Sequence, residues 1–190
     1  MDPLKYIVPG RKRLPYGMMN FADIRQDNYY YVDKTRFIPM IEEADRFFFF
    51  IRPRRFGKSL TVSTLKAVFQ GKKELFKGLA IYDKPYDWKQ YPVIHLDMNG
   101  LDFSSVEELE SSLCDLVTEA AASHELTLES ANAASMFRVL INRLAEQEQG
   151  VILVDEYDKP ILNNLGKPHA QKLLDKLKVF YSVIKAFESK

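Results

Sequence analysis

Phe47-Phe48-Phe49-Phe50-Ile51-Arg52-Pro53-Arg54-Arg55-Phe56-Gly57-Lys58-Ser59-Leu60 is the stretch on which the reading of this 190-residue chain turns. The apolar run Phe47 to Ile51 predicts a strand buried on both faces, as in parallel sheets. It is far too short to span a membrane. Residues 52–56 read as a loop. Lys58 to Phe69 reads as a helix with Leu60, Leu65, Val68 and Phe69 roughly on one side. A strand, a loop and a helix with Gly-Lys-Ser at the junction are the setting of a phosphate-binding loop, G-x-x-x-x-G-K-S/T. Arg52 stands where the first glycine is usual, and the second half matches fully.

That second half carries specific chemistry. Gly57 lets the backbone turn its N–H groups toward an anion with no side chain in the way. Lys58 places a point charge on the outer phosphates of a nucleotide. Ser59 offers a hydroxyl ligand to Mg2+. The helix that opens here aims its positive end at the same place. Arg55, Phe56, Gly57, Lys58, Ser59 and Leu60 are therefore the expected nucleotide-binding residues. Arg52, Arg54 and Arg55 have three open roles: phosphate contact, pairing with acidic residues of the same domain, or facing solvent. At least two of them are read as structural or partner-facing. Pro53 fixes φ where glycine usually gives freedom.

Downstream, the apolar run Val151-Ile152-Leu153-Val154 ends in Asp155-Glu156. Asp155 is expected to orient Mg2+ through its water shell, and Glu156 to polarise the attacking water. Ser59 and Asp155 are thus the expected metal residues, and Lys58 and Glu156 the expected catalytic ones. Asp158 and Lys159 precede Pro160 and read as a solvated turn or a local ion pair. Val93-Ile94-His95-Leu96-Asp97 is another strand. Asp97 at its end either assists the metal or water or caps a turn, and His95 reads as a satisfied core or edge residue.

Outward from these motifs, residues 1–30 lack clean periodicity and read as an extended arm, with turns at Pro9-Gly10 and Pro15-Tyr16-Gly17. Tyr29 to Val32 suggests a short strand. Asp33 or Thr35 would then cap a helix carrying Phe37, Ile38 and Ile41. Residues 72–90 read as short helical pieces and turns. Ser105 and Glu108 form a capping box. It opens a helix with Val106, Leu109, Leu113, Leu116, Val117 and Ala120 inward. Another helix carries Phe137, Leu140, Ile141 and Leu144, and Gly150 ends it. A last helix spans about 169–187, with Leu173, Leu177, Phe180, Tyr181 and Ile184 on one face. Strands alternating with helices predict a parallel α/β sheet.

Hydrophobic residues make up 46% of the chain and charged residues 28%, a balance that supports a packed core. Lys plus Arg is 27 against 26 Asp plus Glu, so bulk charge gives no argument for nucleic-acid binding. The short basic run Arg11-Lys12-Arg13 reads as a solvated face. The single cysteine, Cys114, lies on the apolar side of its helix and cannot form an internal disulfide. Met1 to Gly10 contains no long apolar run, so no signal peptide is expected. The expected compartment is cytoplasmic, with no membrane partner.

The combined motifs resemble those of the AAA-ATPase-like proteins often joined to a C-terminal nuclease-like domain of the PD-(D/E)XK type. The matching pieces are Leu14-Pro15-Tyr16-Gly17, Tyr31-Val32-Asp33-Lys34-Thr35, Arg52 to Leu60, and Val154-Asp155-Glu156-Tyr157-Asp158-Lys159-Pro160-Ile161. An arginine-rich loop without the first glycine is itself a feature of that family. The resemblance implies a P-loop NTPase-like three-layer α/β/α fold with a parallel sheet, ATP and Mg2+ as ligands, and ATP hydrolysis. Residues 31–190 would be a partial ATPase domain, with 1–30 leading in. The Tyr31-to-Thr35 segment marks the family without a secure chemical role. No paired acidic-plus-lysine nuclease motif can be placed, so no nuclease activity is expected.

In such ATPases a fourth strand lies between the first and third and carries a polar sensor residue. The sequence stops at Lys190, where that strand is expected to begin, so the fourth and fifth strands are absent from it. Three arrangements would account for this, in decreasing order of preference: a fragment, a smaller sheet pairing the first and third strands directly, or a sheet completed by a partner chain or by self-association. Two functions follow, with a structural fragment that has no nucleotide role as a third. One is Mg-dependent ATP binding, with hydrolysis once the domain is completed. The other is a non-catalytic nucleotide-binding or protein-interaction module.

Overall fold

The computed structural model describes residues 11–43, 47–51, 53, 55–129, 132–146 and 148–187. The chain divides into two compact units, Met1–Trp88 and Lys89–Lys190. The first contains α1 (Phe21–Gln26), α2 (Ile38–Glu42) and α3 (Lys58–Phe69), with a tight 3-10 turn at Lys73–Phe76 following α3. The arm expected to be irregular contains α1. Asn20 caps that helix by accepting from the Ala22 N–H at 2.9 Å. Phe21 and Ile24, three residues apart, both face inward and are fully buried. The Phe21 ring sits 4.7 Å from Phe76 and edge-on to Tyr31 at 5.1 Å. Its backbone N–H donates to Ser63 Oγ on α3 at 2.9 Å. Arg25 donates to the Leu75 and Lys77 carbonyls at 2.8 and 2.7 Å. The Ser63 bond ties α1 to the helix that carries Lys58 and Ser59, and Arg25 ties it to the turn that follows that helix.

The Tyr31-to-Thr35 segment is a brace. Residues 29–32 form no strand, because the segment's polar groups are taken by side chains and turns. The Asp33 carboxylate accepts from the Thr35 N–H at 2.8 Å, the Thr35 hydroxyl at 2.7 Å and the Ala80 N–H at 2.6 Å. The buried Thr35 Oγ1 in turn accepts from the Ile81 N–H at 3.2 Å. Tyr31 Oη lies 3.3 Å from Thr64 Oγ1 on α3.

The second unit holds the sheet. β1 (Val93–Asp97) and β2 (Val151–Asp155) pair in parallel, with Val93 opposite Val151 and Asp97 opposite Asp155. The crossover between them carries α4 (Val106–Ala122) and α5 (Ala133–Ala145). α6 (Lys159–Leu162) and α7 (Ala170–Lys185) follow β2. Ser105 caps α4 as expected, accepting from the Glu108 N–H at 3.0 Å. Leu109, Leu113 and Val117 of α4 meet Phe137, Leu140 and Leu144 of α5 and Leu173, Leu177 and Phe180 of α7 in one core. Phe137 and Phe180 stack at 4.9 Å. Glu110 ties the three helices together: one carboxylate oxygen accepts from the Ala133 N–H at 2.8 Å, and the other meets Lys176 Nζ at 2.6 Å. Cys114 is half-buried against this core; burial first, then the Glu110 and Asp115 carboxylates, push its thiol up.

The expected strand at Phe47 to Ile51 does not form. These residues have no regular structure, and Phe49 and Ile51 are 71% and 83% exposed. Apolar composition makes a strand favourable only where a neighbouring strand takes its N–H and C=O groups. Among the described residues the sheet is β1 and β2 alone. For the same reason Val151 to Val154 of β2 are half-buried rather than fully enclosed. The fold is thus mixed α/β with a two-stranded parallel sheet. No described helix is long and apolar enough to cross a membrane.

Candidate functional site

The phosphate-loop motif lies in the first unit and the acidic motif in the second. At the loop, the chain turns sharply before α3. Arg55 has φ 67 and Gly57 has φ 72, on either side of Phe56. The left-handed conformation costs a non-glycine residue about 1–2 kcal/mol and glycine almost nothing. A Cβ at Gly57 would meet no atom within 4 Å, so glycine is required here by backbone conformation. The Phe56 N–H donates to the Pro53 carbonyl at 3.4 Å, and Thr61 donates through both its N–H and its hydroxyl to the Gly57 carbonyl at 2.9 Å.

α3 then begins at Lys58 with no side-chain cap and no acidic residue in its first turn. A cation at the positive end of a helix is unfavourable for the helix by itself. The arrangement is favourable once an anion sits there. Arg55, Phe56 and Gly57 are exposed, and Lys58, Ser59 and Leu60 are half-buried. Arg52 and Arg54 lie outside the described residues. Arg11, Lys12 and Arg13 are exposed, in keeping with a solvated face.

At the acidic motif, the parallel register sets Asp97 and Asp155 side by side at the ends of β1 and β2. Asp155 is 7% exposed, and its Oδ1 accepts from the Glu156 N–H at 3.0 Å. Glu156 follows with φ 54, a non-glycine residue in the left-handed region like Arg55. Asp97 caps a turn, accepting from the Asn99 N–H at 2.9 Å. Lys159 does not behave as an ion-pair partner of Asp158. Its ammonium donates to the Asn99 carbonyl at 3.2 Å and to Asn99 Oδ1. Asn99 went unnoticed in the sequence, and Tyr181, which donates to the Tyr157 carbonyl at 3.4 Å, was read there only as part of the apolar face of the last helix. Asn99-Gly100 signals a turn, but nothing local signals a partner on α6. Among the described residues no group of three or more His, Cys, Asp and Glu side chains is placed to hold a metal ion alone.

Residues 15–190 match the family described as predicted AAA-ATPase. The chain belongs to the AAA-ATPase-like family. A protein of Azotobacter chroococcum mcd 1, named as an uncharacterized protein in the vnfD 5' region, is 41% identical over 180 residues. The match covers 92% of this chain and 35% of that protein, so the chain spans about a third of its relative's length. No solved structure matches. The family match takes in the loop from Arg55 to Leu60 and the strand end at Asp155-Glu156 within one family domain.

Proposed function

We propose that this AAA-ATPase-like chain binds ATP with Mg2+, and that it hydrolyses ATP where the sheet of the domain is completed. The observation that carries the reading is the α3 N-terminus: an uncapped twelve-residue helix with Lys58 and Ser59 in its first turn, entered through left-handed backbone at Arg55 and Gly57. Family membership supports a P-loop three-layer fold and ATP as the nucleotide; residues 31–190 would be the ATPase domain, with 1–30 leading into it. Arg55 to Leu60 would hold the phosphates, with Lys58 on the outer ones. Ser59 and Asp155 would hold Mg2+, directly and through water, and Glu156 would polarise the attacking water. Bound Mg2+ would supply charge neutralisation on the phosphates. A cytoplasmic setting fits the single unpaired cysteine.

A second reading, nucleotide binding without turnover or a protein-interaction role, draws on the largely exposed apolar run at Phe47 to Ile51. Calorimetric titration of the chain with ATP and Mg2+, beside Lys58→Ala, tests both. Saturable binding lost in the variant is expected. A folded chain that binds no ATP would remove the nucleotide reading, and binding without phosphate release would favour the second.

A further inference from the structure

The turn after β2 is held from two sides in a way that nothing in the sequence motif requires. Glu156 is in left-handed backbone with φ 54, a conformation a glutamate keeps only when its surroundings impose it. On one side stands α6. The Lys159 N–H donates to the Glu156 carbonyl at 3.0 Å. The Lys159 ammonium reaches across to Asn99, donating to its backbone carbonyl and to its side-chain oxygen. Asn99 is itself fixed, because its N–H is bound by Asp97 at the end of β1. A chain of bonds thus runs from Asp97 through Asn99 and Lys159 to the Glu156 carbonyl, straddling Asp155 and Glu156. On the other side stands α7, where the half-buried Tyr181 donates its hydroxyl to the Tyr157 carbonyl. Burial and then the Asp158 carboxylate push that phenol far above its ordinary range, so it remains a donor at any working pH.

Taking Glu156 as the water-polarising group proposed above, we infer that Lys159, anchored on Asn99, and Tyr181 are positioning residues that fix the turn carrying it. Neither needs to touch the nucleotide. Lys159 is a cation bonded into a turn rich in carboxylates, and its charge is directed at the two oxygens of Asn99. The ammonium therefore locks β1 to α6, and the lock sets where the Glu156 carboxylate points. The phosphates would be held elsewhere, at Arg55 to Leu60. Loss of the lock is therefore expected to lower turnover and spare nucleotide affinity, since a displacement of about 1 Å in a reacting group costs on the order of a hundredfold in rate.

The test uses the chain itself with Asn99→Ala, Lys159→Met, Lys159→Arg and Tyr181→Phe, and Lys178→Met on the exposed face of α7 as a control. Amide hydrogen exchange over residues 155–159, read without nucleotide, reports the lock. ATP affinity and single-turnover hydrolysis report its consequence. Asn99→Ala and Lys159→Met are expected to speed exchange in that turn about tenfold or more and to lower the hydrolysis rate by roughly tenfold to a hundredfold, with ATP affinity within about twofold of the parent. Lys159→Arg, which can still bridge two oxygens, restores part of the rate. Unchanged exchange in a parent chain that hydrolyses ATP overturns the lock and leaves the ATPase reading standing. Faster exchange with an unchanged rate overturns the positioning role. A parent chain that binds ATP but never releases phosphate overturns the assignment of Glu156, and the role of the lock with it.

Discussion

Replacing Asp33 dismantles the brace between the Tyr31-to-Thr35 segment and the turn at residues 80–81. Its carboxylate accepts three hydrogen bonds, from the Thr35 N–H, the Thr35 hydroxyl and the Ala80 N–H, at 2.6 to 2.8 Å. A bond to a charged acceptor is worth about 1.5–3 kcal/mol when buried. Asp33 is exposed to solvent, so about 1 kcal/mol for each is the fitting scale. Asp33→Ala is then expected to cost about 2–3 kcal/mol. Asp33→Asn should cost about 1–2 kcal/mol, because its amide keeps one acceptor oxygen but turns an N–H toward a second donor. Trp88 is the single tryptophan of the chain and packs 5.1 Å from both Phe76 and Tyr86, within the same unit as Asp33. Its fluorescence during urea unfolding therefore reports that unit. With a slope of about 1 kcal/mol per molar urea, the midpoint should fall by about 2 M for Asp33→Ala. The pH dependence has a definite sign. Burial alone would raise the Asp33 pKa, but the bonds from Thr35 and Ala80 outweigh it and hold the carboxyl below its ordinary value. The stabilisation is therefore fully present above about pH 4 and disappears as pH falls through the folded-state value. The gap between the parent and Asp33→Asn should narrow below about pH 4. Midpoints within about 0.3 M of the parent for both variants at neutral pH would refute the brace.

Gly57→Ala meets no steric obstacle but must adopt φ 72. ATP affinity should drop roughly fivefold to thirtyfold, the equivalent of about 1–2 kcal/mol of left-handed strain, as read by the same titration as Lys58→Ala. Phe137→Ala removes one ring of the stacked Phe137–Phe180 pair at the centre of the second unit. It is expected to cost about 3–5 kcal/mol, measured as a lowered thermal midpoint by circular dichroism.

The helices and strands of the second unit were legible because their signals are local and their partners lie in the same unit. Leu109, Leu113 and Val117 recur at helical spacing, Ser105 supplies a cap, and the apolar runs at 93–97 and 151–155 find each other in register. Phe47 to Ile51 was misread because strand formation belongs to a pair of segments, and composition describes only one of them. α1 was missed because six residues are too few for periodicity to stand out, although Asn20 ahead of Phe21 and Ile24 carried the signal of a capped turn. At the acidic motif the carboxylates were legible by type. The Asn99–Lys159 bond and the left-handed backbone of Glu156 were not, since both depend on where two distant strand ends meet. The role of Asp33 was likewise hidden, because its partner Ala80 offers only a backbone N–H.

The pairing of Val93 with Val151 has a consequence during synthesis. β1 leaves the ribosome well before the strand it pairs with has been translated. At about 5–20 residues per second the delay is roughly 3–12 seconds. Throughout that interval the apolar β1 has an open edge on both sides and is a template for other nascent chains. α4 and α5 are translated during the wait, and the inner face of α4 can cover Ile94 and Leu96 before the strand partner arrives. Helical cover first and strand pairing last is therefore the safe order of assembly, and codons that slow translation between α5 and β2 would lengthen the period in which misassociation competes with folding.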